Sequence, residues 1–336
     1  MTTTSRRAGA VGALVLLGTT IHASPATAAP VPVKCGTVIL VNTTLTANVG
    51  PCSSDGLIIG ADNITLDLGR KAVVGRANRT GDGVGIRIGG RTGVTVKNGR
   101  VTDFDAGVAI VGGSVNTVER LLVKDNIGTT KRGDFGEGIA VSGSNGNTIR
   151  NNNVIHNGPF DGVGLFGPSS GNLLENNVIS GNDISFTADD GIRIEGPGAK
   201  NNIVRGNNVS ASTLDGIAVF SDQGTGNLNS GNLIEGNRVT ANGYGLLGAR
   251  PGDGIRTFLR ANGTIIRNNL VTDNAGSGIL IGSMTNQILN NIATGNARQA
   301  AATSPRFDLH DTNVNCDANV WSGNMYGTAN QACTTG

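Results

Sequence analysis

The chain has 336 residues, with 26 lysines and arginines against 24 aspartates and glutamates, a formal net charge of +2. Residues 1–28, read below as a leader, hold two of the arginines and no acid, which leaves 24 basic side chains facing 24 acidic ones. A neutral chain without basic runs does not have the electrostatic footprint of a nucleic-acid binder.

The first element in chain order is a secretory leader over 1–28. Arg6 and Arg7 precede an apolar run from Ala10 to Leu17, and Ala26-Thr27-Ala28 offers a small-residue cleavage site. The apolar run is too short to span a bilayer. An N-terminal cap follows at 29–60 with Cys35 and Cys52, and a C-terminal cap at 301–336 carries Cys316 and Cys333. Four cysteines allow three pairings. Local pairing, Cys35 with Cys52 and Cys316 with Cys333, closes a short loop at each end, whereas the other two pairings would have to bridge the length of an elongated fold. Each staple is expected to contribute about 3 kcal/mol.

Between the caps, from 61 to 300, one pattern recurs: an asparagine, a second five residues on, a hydrophobe at seven and a third asparagine at ten. Clear copies start at Asn147 (Asn152, Val154, Asn157), Asn172 (Asn177, Ile179, Asn182) and Asn232 (Asn237, Val239, Asn242), and weaker ones at Asn116, Asn202, Thr264 and Asn286. The starts are 22 to 32 residues apart, the period of a solenoid whose units bury their apolar faces by stacking. Segments such as Ile192-Arg193-Ile194 alternate in and out with β-branched residues, glycines interrupt them, and no stretch has a helical period. Each coil is therefore expected to hold two or three short strands lying parallel on the next coil at about 4.8 Å, with the asparagines stacked in ladders.

These features resemble the right-handed parallel β-helix proteins of the pectate-lyase-like superfamily, in particular its asparagine-rich repeat branch of exported proteins. The resemblance rests on Asn147-Thr148-Ile149-Arg150-Asn151-Asn152, on Asn172-Leu173-Leu174-Glu175-Asn176-Asn177 and on the Gly-Ile pairs below. It implies an all-β solenoid but no single activity, since such folds serve lyases, hydrolases, epimerases and adhesins.

A second register is more specific. Gly138-Ile139, Gly162-Val163, Gly191-Ile192, Gly216-Ile217, Gly254-Ile255 and Gly278-Ile279 each open a strand, preceded by Glu137, Asp161, Asp190, Asp215, Asp253 and Ser277. Carboxylates at one corner of five successive coils repel by about 1 kcal/mol per neighbouring pair even in water-like surroundings. Either each bonds to turn amides, or some share a proton or a calcium ion, for which Asp190 and Asp215 are the candidate ligands. Clustered soft ligands for copper are lacking, and no other cofactor is called for.

From the tenth position of each copy to the next strand-opening glycine the chain takes 12, 5, 9, 4, 12 and 4 steps. Long excursions beside a rigid scaffold commonly carry binding. They bring Lys131, Arg132, Asp134 and Phe135, then Phe186 and Asp189, then Tyr244 and Arg250. Arg193 and Arg256, two places after their glycines, are expected about 10 Å apart, with Ala218 on the coil between them. They suit a uronate polymer, and equally ion pairs with the column itself.

Asp161 with the doublet Asp189-Asp190 also resembles the three-carboxylate set of polygalacturonase-type hydrolases. The chain departs from that pattern one coil later, where Asp215-Gly216 stands in place of Gly-His-Gly. In pectate-lyase-type relatives calcium neutralises the uronate and a basic side chain takes the C5 proton, a part open to Arg193 or Arg256. The segment Phe307-Asp308-Leu309-His310-Asp311 is assigned to the cap. The reading is therefore an exported protein that binds or processes an acidic polysaccharide or cell-surface glycan at the 130–260 corner. Asp161, Asp189, Asp190, Arg193, Asp215 and Arg256 would be reactive groups, and Lys131, Arg132, Tyr244, Arg250 and Asp253 substrate contacts. A non-catalytic surface or matrix rod is the alternative.

Overall fold

A computed structural model describes residues 33–77, 83–131, 134–167, 174–175, 178–180, 182–196, 198–221, 229–245, 250–299 and 305–336. Residues 1–28, expected as a leader, and Arg132, Asn172 and Asn177 lie outside the described residues. The described residues form a parallel β-helix with three sheets.

The first sheet has eleven parallel strands stacked strictly in chain order, from Thr37–Ile39 to Leu309–Asp311. The second and third sheets each take one short strand per coil, such as Thr148–Arg150 and Asn153–Ile155. In two earlier coils a single strand, Thr95–Thr102 or Thr117–Lys124, runs through both sheets. The inward positions repeat one residue type per stack. Val108, Ile139, Val163, Ile192, Ile217, Ile255 and Ile279 are each fully buried along the first sheet. Each unit covers the next, which is why the β-branched pattern could be read at coil spacing.

The asparagine ladders form at the corners. The run starts at Asn152, and in Asn182, Asn207, Asn237, Asn269, Asn291 and Asn324 each Oδ1 accepts both the backbone N–H and the Nδ2 of the preceding coil's asparagine, at 2.9–3.1 Å. The Nδ2 groups of Asn152, Asn182, Asn237, Asn269, Asn291 and Asn324 also find a strand carbonyl, as Asn237 does with Val204 at 2.9 Å. All of the run but Asn324 is buried, and the ladder supplies the partners that buried amides require.

One register differs from the sequence expectation. Ile149 opposes Ile179 and Val154 opposes Ile184, and Asn152 bonds to Asn182 rather than Asn177. The copy that starts at Asn172 is thus displaced by five positions. Asparagine recurs every five residues there, so a five-residue slip leaves an asparagine in the slot and only strand pairing decides. Counting on from Asp183, Thr187 falls opposite Asn157, and the turn before Gly191 is as short as its neighbours. The nine-step loop disappears, and the extra residues of that coil lie between Phe166 and Val178. The twelve-step excursions 126–138 and 242–254 stand.

Disulfides Cys35–Cys52 and Cys316–Cys333 close the two ends, with Cα separations of 5.5 and 6.0 Å. The Phe307–Asp311 segment belongs to the C-terminal cap: Asp311 accepts from Trp321 Nε1 at 2.9 Å, and Asp308 accepts the amides of Gly327 and Thr328. No helix among the described residues is long and apolar enough to cross a membrane.

Candidate functional site

The strand-opening glycines are dictated by stacking. A Cβ on Gly216 would lie 2.4 Å from Val239 Cγ1 and 2.7 Å from the Gly254 carbonyl oxygen. The residue before each glycine is therefore held at a tight corner, and four of the acids there form a ladder of their own. Asp161 Oδ1 accepts the amide of Asp190 (3.2 Å), Asp190 that of Asp215 (2.9 Å), Asp215 that of Asp253 (2.6 Å) and Asp253 that of Ser277 (2.7 Å). The amide comes from the next coil, not from the acid's own turn. Glu137 heads the column and accepts the Gly136 amide at 3.0 Å.

An aspartate has no donor with which to continue the chain, so its second oxygen needs another partner. Arg193 supplies it for Asp190, and lies against Asp161 and Asp189 as well. Its guanidinium lies 2.7 Å from Asp189, 2.9 Å from Asp190, 3.3 Å from Asp161 and 3.5 Å from Glu195. Arg250 grips Asp215 with both terminal nitrogens, at 2.9 and 2.6 Å, and reaches Asp253 at 3.5 Å. Arg256 is more loosely paired, 3.8 Å from Asp215 and 4.0 Å from Asp253.

Arg193 and Arg256 are in register two coils apart, with Ala218 between them. A stacked pair of rings joins the two. Arg193 sits 5.3 Å from the Phe220 centroid, Phe220 stacks on Phe258 at 4.6 Å, and Arg256 lies 4.1 Å over Phe258.

Charge does not balance here. Glu137, Asp161, Asp189, Asp190, Asp215 and Asp253 face Arg193, Arg250 and Arg256, and the five column acids are buried. Burial pushes the Asp161 carboxyl well above the usual carboxylate range against the pull of Arg193, with Asp190, Asp189 and Glu137 adding to the rise. Asp190 and Asp253 are pushed up to about 7, first by burial and then by Asp215. Asp189 and Glu137 are raised by burial as well. Shared protons or a bound cation would offset the excess negative charge.

Asp161, Asp189 and Asp190 can each present an oxygen to a common ion, the three atoms lying within 4.8 Å of one another. Asp161 Oδ2 is buried with no hydrogen-bond partner. Of the expected calcium pair, Asp190 belongs to this triad, while Asp215 is held by Arg250 and accepts the Asp253 amide. Arg193 touches all three acids, so any bound ion would compete with it.

A cleft of about 590 Å³ opens over the first sheet beside Asp161 and Arg193. Phe135, Phe160, Phe166 and Phe220 give it apolar walls, and Asp134, Glu137 and Glu195 add acids. Lys131 stands exposed near its rim, 3.7 Å from Asp134. Asp215, Arg250, Asp253 and Arg256 form a second group farther along the column. Tyr244 is elsewhere, its hydroxyl donating to the Asp273 carbonyl at 2.8 Å, and exposed Phe186 packs against His156 at 5.0 Å.

Sequence reasoning missed Phe160, Phe166, Glu195 and Phe220. The last three share one outward register with Ser142 and Phe258, four places after each strand-opening glycine. That spacing was visible in the chain once the glycines were aligned.

A family model for the right handed beta helix region matches residues 34–192, 84–292 and 175–335. No curated protein matches in sequence. Among solved structures, the Dettilon tailspike protein (gp208) superposes with a TM-score of 0.65 at 16% identity, over 88% of this chain and 60% of the tailspike chain. A point mutant of the periplasmic alginate epimerase AlgG gives 0.54 at 14% identity, over 90% of this chain and 76% of that one. Unmutated AlgG gives 0.50 at 15%, over 79% and 66%. The chain therefore spans about three fifths of the tailspike, and at these identities the likeness is one of fold.

Proposed function

The chain belongs to the right-handed β-helix family, and we propose that it is an exported protein that binds and cleaves an acidic polysaccharide at the cleft over the first sheet. The observation that carries this reading is Asp161: a buried carboxyl with a raised pKa and an unpartnered oxygen, lining a phenylalanine-walled cleft beside Arg193. A carboxyl whose pKa is raised holds its proton more tightly and can give it to a glycosidic oxygen, while a neighbouring ionised carboxylate activates water. Asp189, its side chain 18% exposed and held by Arg193, suits the second role. Export is supported by the two disulfides and by the leader pattern at 1–28.

The choice of an acidic polymer draws on the alginate epimerase that shares the fold and on Arg193 in the cleft. Asp134, Glu137, Asp161 and Glu195 outnumber that arginine, so a uronate chain enters most readily with a divalent cation or with protons on these acids. Calcium, when bound, would neutralise uronate charge. Arg193 would orient the sugar carboxylate, and the phenylalanines would cover its apolar face.

The test is incubation of the mature protein with uronate-containing and neutral polysaccharides, with calcium or a chelator, scoring new reducing ends and unsaturated products together. Reducing ends that vanish in Asp161→Asn are expected. Unsaturated ends would replace hydrolysis with elimination, and silence across the panel would remove the enzyme reading. A second reading, a non-catalytic surface rod, is favoured by the amide ladder, which gives the column a structural task. It expects wild-type behaviour after Asp189→Asn and Asp190→Asn.

A further inference from the structure

A second concavity, of about 930 Å³, lies at a different corner, between the second and third sheets near the N-terminal end. Arg70, Lys71, Arg100 and Arg120 line it, against the single carboxylate of Asp67. Asp67 already faces Lys97 at 3.8 Å, and Arg120 is tied to Glu119 and to Asn98 Oδ1 at 2.8 Å. Among the described residues no acid pairs with Arg70, Lys71 or Arg100. Most other outward arginines of the solenoid do find one: Arg87 with Asp55, Arg150 with Glu119, Arg205 and Arg267 with Glu235, Arg298 with Asp273.

The backbone marks the same place. Along this corner, among the described residues, left-handed positions recur at Gly69 (φ 56°), Asn98 (59°), Asn151 (55°), Gly206 (62°), Gly236 (62°), Asn268 (56°), Asn290 (54°) and Gly323 (65°). These are the types that tolerate the conformation. Only where the groove lies does an arginine stand there, Arg70 at 62° and Arg120 at 53°. A long side chain is held in an unfavourable backbone region at these two positions, the kind of outlier that points to use rather than to folding. The Arg70 coil is also longer: Asp67 opposes Lys97 and Ala72 opposes Arg100, so five steps of chain run beside three. The two additional residues lift Arg70 and Lys71 into the groove wall.

The cations are spread over three successive coils, about 10 Å along the axis at ordinary strand spacing. A small anion would need convergent donors, whereas an open line of charge fits repeated anionic groups on a polymer. The groove has no aromatic side chain on which bases could stack, which disfavours single-stranded nucleic acid. We propose that this groove is a second glycan site, for a polyanionic polysaccharide bearing sulfate or carboxylate groups, separate from the cleft over the first sheet.

Fluorescent dextran sulfate and uncharged dextran, titrated with the mature protein, test this. Binding of dextran sulfate alone is expected at about 50 mM salt, weakening steeply as salt is raised. Arg70→Gln/Lys71→Gln/Arg100→Gln should lose at least about tenfold in affinity, while Lys34→Gln/Arg238→Gln/Arg260→Gln, with the same loss of charge elsewhere, should stay within about twofold. Equal losses in both variants, no binding by the wild type, or tighter binding of duplex DNA than of dextran sulfate would overturn the proposal. Arg70→Asn gives an independent reading: relief of the left-handed backbone should raise the melting temperature while affinity falls. A rise in both, or no change in affinity, counts against the site.

Discussion

Two ladders run along this solenoid and perform the same geometric task with different side chains. In each, a side-chain oxygen accepts the backbone amide of a neighbouring coil at about 3 Å. The asparagine rungs also carry donors, so Nδ2, as at Asn237, closes onto the next rung and a strand carbonyl, and the ladder satisfies itself. Aspartate rungs lack donors, and their second oxygens depend on Arg193, Arg250, a proton or an ion. A fold that needed only rungs would be served by asparagine throughout. Aspartate at one corner is therefore the more costly choice, and that corner is where the cleft opens.

The contrast breaks most severely at Arg193. Its side chain is only 17% exposed, and Arg193→Ala leaves Asp161, Asp189 and Asp190 without their common cation. A loss of about 3–5 kcal/mol is expected at pH 7, shrinking at pH 4 as the acids take up protons; urea unfolding at both pH values checks this. An equal loss at both would mean that packing, not charge, is at stake. Next comes conversion of one ladder into the other. Asn237→Asp removes the donors to Val204 and Asn269 and buries a carboxylate with no arginine beside it. About 3 kcal/mol is the expected cost, again smaller in acid.

The reverse exchange, Asp253→Asn, keeps an oxygen for the Ser277 amide and removes a charge. Asp190 and Asp253, pushed up to about 7 from an ordinary 3.8, bind protons more tightly in the folded chain than in the unfolded one. Their stabilising contribution is full below pH 3.8 and is lost as pH rises through about 7. Wild-type stability should therefore fall between about pH 4 and 7 by about 1.4 kcal/mol per pH unit per group and level off above, and Asp253→Asn should flatten that slope. A slope unchanged in the variant would place the protons elsewhere. The smallest effect is expected at Thr264, which interrupts a rung between Asn232 and Asn286. Thr264→Asn should add up to about 1 kcal/mol by restoring an acceptor, read as a rise in melting temperature.

Much of this contrast could be read from residues alone. Five-residue asparagine spacing, glycine before each strand and the paired cysteines each report a local constraint: a left-handed corner, a close approach of coils, a short loop. The acid column and the two-coil separation of Arg193 and Arg256 followed from the same alignment. Tyr244 shows where that reasoning stopped. It was placed with the column by its loop, yet it bonds to Asp273, because a loop's length does not set the direction of its side chains. Arg250, from the same loop, does reach the column and captures Asp215.

By itself, the sequence determined the parallel solenoid, its end staples and the presence of a carboxylate corner, because each depends on a residue type repeated at coil spacing. Tertiary structure decided which asparagine stacks on which, since a slip of five positions exchanges identical side chains and only the strand register, Ile149 opposite Ile179, separates them. It also decided which acids share Arg193 and which rings wall the cleft. The contacts of Arg193 with Asp161 and with the Phe220 ring join residues about one coil apart in sequence, and their geometry exists only once the coils have stacked.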